Sequence, residues 1–289
     1  MSKKTEFDKL WNYNDPAGTH RKFSEMLPEV KSSGDKDLYL QLLTQLARTQ
    51  GLQMKFDEAH KILDEVEDEL NDKSKLAELR YYLERGRTFN SSKVKDKARE
   101  LFLKAFDAGT QLNEDNYTVD AAHMMAIVET GEESLRWNET AMKIAEDSQD
   151  EDAKRWLGSL YNNTGWTYFD MKDYSKALEI FEKCRQWHED RKTGQGLFIA
   201  KWSIAKTLRM LGRTNEALDI QNALKTEIEE NKAEDDGYVY EELGECYLEK
   251  GDKKEAGKYF KKAYELLSKD IWLAENEKER LARIKELSA

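Results

Sequence analysis

Histidine and cysteine are the residues best able to bind a metal or act as a nucleophile, and both are sparse in this sequence. The four histidines are scattered, without an HExxH motif or an i,i+4 pair that would place two imidazoles on one helix face. Cys184 and Cys246 lie far apart without CxxC spacing, which predicts neither a zinc site nor a disulfide. We therefore predict no metal and expect both thiols in the core or half-buried.

Two other patterns could in principle support catalysis. The GQG at 194–196 could present backbone N–H groups to an anion, but a lone GxG without a preceding strand is typical of a turn. The sequence has 58 acidic residues, so neighbouring carboxylates such as those in DEVEDEL carry no sign of acid–base chemistry. We assign no catalytic residue and no cofactor, and we expect that the protein is not an enzyme.

Aromatic and small residues recur at a spacing that is more informative. The stretch YEELGECYLEKGDKKEA begins at Tyr240. With Gly237 as position 1, aromatic residues stand at positions 4 and 11 and small residues stand at positions 8 and 20. Small residues let two helices approach closely while aromatic rings fill the space around them, so this spacing predicts a helix-turn-helix unit. Gly251, at position 15, is expected to end the first helix in the left-handed conformation.

The same template recurs in phase along the chain. Its small residues at position 8 are Ala47, Gly86, Ala122, Gly165, Ala205 and Gly244. The pattern resembles the tetratricopeptide repeat (TPR), a helix-turn-helix unit of about 34 residues. Because every spacing between these six anchors exceeds that length, the units resemble the extended units of kinesin light chains and of Rap-type peptide-receiving regulators.

The resemblance implies an all-α, right-handed solenoid, and polar joints between the units suggest where the units begin and end. We predict N-terminal capping helices over 1–37, six repeats within 38–268 and a C-terminal capping helix over 269–289. The repeats are predicted at 38–70, 77–107, 115–147, 155–190, 197–230 and 237–268. Asp15 is expected to cap the first helix. The side chains expected to cover the last repeat are Trp272, Leu273, Leu281 and Ile284.

Function in such an array usually lies on the concave side, which the first helix of each unit lines. Positions 2, 6, 9 and 13 of a first helix point away from its core positions. Through five units this face carries five cations and three carboxylates, and in the sixth unit it carries Glu241, Glu242, Glu245 and Glu249. A groove that is basic early and acidic late is therefore predicted, and its basic part would attract acidic segments of a partner. The alternative is that these charges are ordinary solvated helix faces.

Two indole rings and one amide complete the predicted contacts. Trp166 and Trp202 fall on the same face, where exposed indoles are typical of binding hot spots; the alternative is that both rings are buried between units. Asn163 occupies position 6, at which units that hold an extended peptide tend to carry asparagine. The predicted partner-binding residues are Arg48, Arg87, His123, Asn163, Trp166, Trp202, Lys206 and Arg209.

We interpret the sequence as a protein–protein interaction scaffold or peptide-binding TPR protein that holds its partner in the concave groove. Self-association through the edges of the solenoid, which would make a homo-oligomer, is the main alternative, and a small-ligand sensor is a third. The net charge of -11 argues against a nucleic-acid partner. No apolar run approaches the roughly 20 residues of a membrane span, and the start has no apolar leader, so a cytoplasmic protein is predicted.

Overall fold

The computed structural model describes residues 5–231 and 234–288, and every regular element in these ranges is helical. A short 3-10 helix over Phe7–Leu10 precedes the α-helices. The α-helices are α1 (Pro16–Ser32), α2 (Lys36–Leu52), α3 (Phe56–Glu69), α4 (Lys75–Ser91), α5 (Lys95–Leu112), α6 (Asp115–Val128), α7 (Gly131–Asp147), α8 (Glu151–Lys154), α9 (Leu157–Asp170), α10 (Tyr174–Arg191), α11 (Gly194–Met210), α12 (Thr214–Asn231), α13 (Gly237–Glu249), α14 (Lys253–Leu267), α15 (Ile271–Asn276) and α16 (Lys278–Leu287). Within the described ranges, none of them has the length and apolar sequence needed to cross a membrane.

Consecutive helices pair into helix-turn-helix hairpins, as the repeat pattern predicts. The hairpins are α2–α3, α4–α5, α6–α7, α9–α10, α11–α12 and α13–α14, with Gly165 of α9 lying against Phe181 of α10. The chain divides into two compact units, unit 1 over Met1–Leu160 and unit 2 over Tyr161–Ala289. In unit 1 the first helices of successive hairpins pack side by side, α2 against α4 and α4 against α6; in unit 2, α11 packs against α13. The predicted all-α solenoid fold is confirmed.

Five of the hairpin turns contain a residue in the left-handed region. The φ angle is +75° at Gly212 and +80° at Gly251, which confirms the predicted helix end, and Met54, Lys93 and Lys172 adopt similar angles. The N–H of the following residue then donates to a carbonyl five residues earlier, as from Asp252 to Tyr247 (3.0 Å). This bond closes the last turn of the first helix and reverses the chain.

Glycine at position 8 lets the two helices of a hairpin approach closely. A Cβ added at Gly86 would lie 2.5 Å from the ring of Phe102, and one added at Gly244 would lie 2.9 Å from the ring of Phe260. Both phenylalanines are fully buried. The small residues therefore have the packing role that the template assigns to them.

The first capping helix begins as predicted. The Asp15 carboxylate accepts a hydrogen bond from the Gly18 N–H (2.8 Å), and Pro16 occupies the first helical position, where its missing N–H costs nothing. The prediction that both thiols are core or half-buried is also confirmed, because Cys184 and Cys246 are buried.

The C-terminal cap differs from the predicted single helix. It breaks at Glu277 (φ -123°) into α15 and α16. Leu273, Leu281 and Ile284 are buried over the last repeat, but Trp272 is 61% exposed. Adjacent residues on a helix point about 100° apart, so a short helix that buries Leu273 turns Trp272 toward solvent. The prediction that Trp272 covers the last repeat is wrong.

Candidate interaction surface

Charged side chains connect the first helices of unit 1. From α2, Arg48 Nη1 donates to both carboxylate oxygens of Glu84 on α4 (3.1 Å each). Arg87, one turn further along α4, donates to Glu84 (2.8 Å) and also to Asp120 on α6. We call these four residues the unit-1 ladder, because each ion pair between helices links one hairpin to the next.

The repeat spacing positions the ladder. Arg48 and Arg87 both stand at position 9 of their first helices, and Glu84 and Asp120 both stand at position 6 of the next ones. Side-by-side packing of the first helices brings a position-9 cation to the position-6 carboxylate of the following hairpin. Since such pairs are only partly solvated, screening weakens them less than it weakens exposed pairs.

Burial and charge set the protonation of the two predicted site residues on this face. Burial lowers the pKa of Arg87, but the carboxylates of Asp120 and Glu84 outweigh it and raise the pKa above its usual value. Burial lowers the pKa of His123; Asp120 opposes this shift and Arg87 adds to it. His123 therefore carries a neutral ring at pH 7, which lies 5.4 Å from the ring of Trp156.

A pocket of about 170 Å³ opens beside the unit-1 ladder. Leu52 and Met124 contribute apolar surface to it, and Asn90 contributes an amide. Arg48, Glu84 and Arg87 of the ladder also line it, and we call it the unit-1 pocket. The Arg48 Nε is buried without a hydrogen-bond partner in the part of the chain that the structure describes.

Unit 2 contains a second set of ion pairs built on the same rule. Lys206, at position 9 of α11, donates to Glu242 at position 6 of α13 (2.9 Å). Arg209 donates to Glu242 (2.9 Å) and to Glu249 (2.9 Å). We call these four residues the unit-2 ladder. Burial alone would raise the pKa of Glu242, but Lys206 and Arg209 outweigh it and hold the pKa below its usual value.

The terminal helix neutralises the other carboxylates of the sixth hairpin. Arg280 donates to Glu241 (2.9 Å), and Arg283 donates to Glu245 (3.0 Å). Glu241, Glu242, Glu245 and Glu249 are thus all paired. The prediction of an acidic end to the groove is wrong, because it left out the arginines of α16.

The predicted basic part of the groove is neutralised in the same way. In unit 1 a third cation, Arg80, donates to Asp8 (2.7 Å), a residue that lies ahead of the repeats. Arg48, Arg80 and Arg87 therefore meet three carboxylates, those of Asp8, Glu84 and Asp120. The predicted excess of positive charge is absent in unit 1, because the count left out Asp8, which reaches this face from outside the repeats.

The two predicted tryptophans of unit 2 lie together and are half-buried. Their ring centroids are 5.7 Å apart, with 38° between the ring planes. Trp202 donates from Nε1 to the Tyr238 carbonyl (3.2 Å), and Lys206 lies 5.1 Å from its ring. Each ring packs on the core of unit 2 and stays partly accessible. The rings are therefore neither fully exposed on the face nor fully buried between units.

The predicted site residues fall into two sets, one in each unit. In unit 1, Arg48 and Arg87 both form ion pairs with Glu84. Burial lowers the pKa of His123, and the positive charge of Arg87 adds to that shift. In unit 2, Trp166 packs against Trp202, and Lys206 lies over the Trp202 ring. Lys206 and Arg209 are linked through their shared partner Glu242. Asn163 accepts a hydrogen bond from its neighbour Asn162 (3.3 Å) and is half-buried. The residues that sequence reasoning missed are Asp8, Arg280 and Arg283, which lie outside the repeat period.

A family model for the tetratricopeptide repeat matches residues 158–187 and 238–268. These segments lie within the α9–α10 and α13–α14 hairpins, so the chain carries tetratricopeptide repeats there. A search of the curated proteins finds no significant sequence match.

Solved structures with the same fold include RapI, kinesin light chain TPR-like repeats and NprR. The apo form of RapI matches with a TM-score of 0.74 and 15% identity over 98% of this chain and 81% of that chain. Kinesin light chain TPR-like repeats from Podosopora anserina match with a TM-score of 0.53 and 14% identity, over 66% of this chain and 96% of that one. NprR in complex with its cognate peptide NprX matches with a TM-score of 0.53 and 14% identity, over 94% and 79%. The predicted resemblance to kinesin light chain and Rap-type repeats is confirmed at the level of the fold.

Proposed function

We propose that this chain is a non-catalytic TPR protein that holds a segment of a protein or peptide on its first-helix faces. The observation that carries the proposal is the size and lining of the unit-1 pocket. Its volume of about 170 Å³ is below the roughly 300–1,000 Å³ of typical small-molecule sites, and it suits one side chain of a larger partner.

The lining of the unit-1 pocket fits that use. Leu52 and Met124 offer apolar contact for an inserted side chain, while Asn90 and Arg48 offer donors for the backbone or carboxylates on either side of it. Because the ladder arginines already have carboxylate partners, they orient a ligand rather than attract it by free charge. NprR, which shares the fold, was solved in complex with a peptide, and this supports the proposal.

The partner contacts that we propose keep all eight residues singled out in the sequence. In unit 1 they are Arg48, Arg87 and His123, and in unit 2 they are Asn163, Trp166, Trp202, Lys206 and Arg209.

Affinity capture from native lysate with quantitative mass spectrometry tests the proposal. The test variant is Leu52→Glu, because Leu52 is 46% exposed and a carboxylate there would fill the unit-1 pocket next to Glu84. The matched control is Trp272→Glu, which also places a carboxylate at an exposed apolar site. We expect Leu52→Glu to lose partners that wild type and Trp272→Glu recover, with unchanged helicity. Equal recovery by all three proteins would contradict the proposal.

A further inference from the structure

The chain's own N-terminal segment, residues 5–13, lies on the first-helix face of unit 1. Phe7 is 1% exposed, with its ring edge-on to Phe23 of α1 (6.1 Å). Next to it, the Asp8 carboxylate accepts a hydrogen bond from Arg80 of α4 (2.7 Å). An aromatic residue followed by an acidic one thus occupies a position between α1 and α4.

Three residues after Asp8, Trp11 makes the next contact. Its Nε1 donates to the side-chain oxygen of Gln45, at position 6 of α2 (3.0 Å). Tyr13 stacks on the Trp11 ring (4.8 Å), and the Arg48 guanidinium lies 5.8 Å from Trp11 and 5.5 Å from Tyr13. Both Gln45 and Arg48 are residues of the face on which we propose that partners bind.

Arg80 shows that this site requires an acidic occupant. Arg80 is 4% exposed, and its guanidinium is held by Asp8 on one side and by the Tyr117 hydroxyl of α6 (2.8 Å) on the other. Phe7 covers the Arg80 guanidinium (5.5 Å), so a segment that covered Arg80 in the same way without a carboxylate would bury an unpaired charge, which is unfavourable. The repeats therefore form a receptor for a carboxylate, and residues 5–13 supply one.

Few side chains attach the segment. Within residues 5–13 only Phe7 is buried; Asp8, Trp11 and Tyr13 make partly exposed contacts with the first-helix face, and Glu6, Lys9 and Leu10 are exposed. Segments with few buried contacts open at a small fraction of the global free energy of unfolding. Because the segment is tethered beside its site, it competes strongly with any segment from another molecule.

We infer that the face formed by Phe23, Gln45, Arg48, Arg80 and Tyr117 is a peptide-binding site that residues 5–13 occupy in cis. The external ligand that fits is a protein segment with an aromatic residue, a carboxylate directly after it and a tryptophan three residues further on. This inference rests on the proposed function, since it names the chemistry of the partner for the unit-1 face.

Fluorescence anisotropy with a labelled peptide of residues 5–15 tests the inference on the full chain. The opened variant is Phe7→Ala with Asp8→Ala, which removes two anchors of the resident segment. The matched control is Glu6→Ala with Lys9→Ala, which changes exposed positions of the same segment. If the resident segment occupies its site about 90% of the time or more, the opened variant binds the peptide at least about ten-fold more tightly than wild type or the control.

Peptide variants keep the inference falsifiable if the opened variant is less stable. A peptide with Asn in place of Asp8, or Ala in place of Phe7, should bind at least about ten-fold more weakly, as expected for loss of one charged or aromatic anchor. Asp8→Asn in the full chain gives a second, gentler opened variant. No binding to either opened variant, or equal binding of the altered peptides, would overturn the inference. If the inference is overturned but Leu52→Glu still loses partners from lysate, the proposed function stands. If an opened variant binds the peptide but Leu52→Glu loses no lysate partner, only the proposed function is contradicted.

Discussion

At the scale of single residues, buried carboxylates are the centres of the ion-pair ladders. Glu242 is 1% exposed and accepts hydrogen bonds from both Lys206 and Arg209. A charge is stable at such a position only if partners replace the water it has lost. The carboxylate therefore contributes mainly by keeping two half-buried cations paired.

We predict that Glu242→Gln lowers the free energy of unfolding by about 3 kcal/mol, because it leaves Lys206 and Arg209 without a neutralising charge. Urea unfolding followed by circular dichroism measures the change. The matched control is Glu216→Gln, which removes a carboxylate that pairs with Arg213 on the exposed surface and should have little effect. Equal losses in the two variants would show that the burial of Glu242 is unimportant.

The same variant has a predicted pH dependence. The folded-state pKa of Glu242 lies below its ordinary value of 4.5, so its contribution to stability is complete above that value. As the pH falls below 4.5, protonation of the carboxylate removes the contribution. The difference in unfolding free energy between wild type and Glu242→Gln should therefore shrink with acidification. A difference that stays constant below that pH would contradict the assigned shift.

The two thiols should be unreactive in the folded chain. Burial raises the pKa of Cys184 to about 11 and, with help from Glu242, that of Cys246 to about 12, so neither forms a thiolate at pH 8. We predict that a thiol-specific disulfide reagent labels neither cysteine in the native protein and both after unfolding in urea. Rapid labelling of the native protein would contradict this prediction.

At the scale of elements, hairpin packing depends on the contact between glycine and phenylalanine. The ring of Phe102 lies directly over Gly86, with no room for a methyl group. Close approach of this kind brings the two helix axes together and buries the aromatic ring.

We predict that Gly86→Ala lowers the free energy of unfolding by about 1–3 kcal/mol, because the new Cβ would lie 2.5 Å from the Phe102 ring. Gly194→Ala is the matched control, since nothing lies within 4 Å of a Cβ at that residue. It should change stability by no more than about 0.5 kcal/mol. Thermal unfolding of both variants checks the prediction, and a neutral Gly86→Ala would show that the hairpin can widen.

The hairpins could be predicted from the sequence because each is a local pattern of small and aromatic residues. The ladders could also have been predicted, because a cation at position 9 recurs with a carboxylate at position 6 of the next unit. The pairs are Arg48 and Glu84, Arg87 and Asp120, and Lys206 and Glu242. The pattern emerges only when neighbouring units are compared with one another rather than with a template.

The contributions of the caps could not be predicted. Asp8, Arg280 and Arg283 lie outside the repeat period, so periodicity assigns them to no face. Whether a terminal segment packs across a first helix depends on its tertiary contacts, such as the burial of Phe7 against Phe23. For this reason the predicted face showed unpaired charges that the folded chain neutralises.

At the scale of the whole molecule, an acidic chain keeps several of its cations engaged internally. The net charge is -11, and the arginines and lysines of both ladders have carboxylate partners. Nucleic-acid binding needs a surface on which many cations can neutralise phosphates.

We therefore predict that the protein does not bind DNA or RNA at about 150 mM salt, conditions under which nonspecific contacts of basic proteins persist. Fluorescence anisotropy of labelled duplex and single-stranded oligonucleotides measures this, with a basic DNA-binding protein as the positive control. Binding that weakens steeply with added salt would contradict the prediction.

The pairing of Trp166 with Trp202 has an optical consequence. Two indoles with centroids 5.7 Å apart and planes inclined by 38° are close enough for their electronic transitions to couple, and they are not parallel. Coupled transitions in such an arrangement give a circular dichroism couplet of opposite-signed bands, whose size depends on the angle between the rings. On the partner-binding face that we propose for unit 2, insertion of a ligand beside either ring would change that angle, so the couplet offers a label-free test of occupancy there.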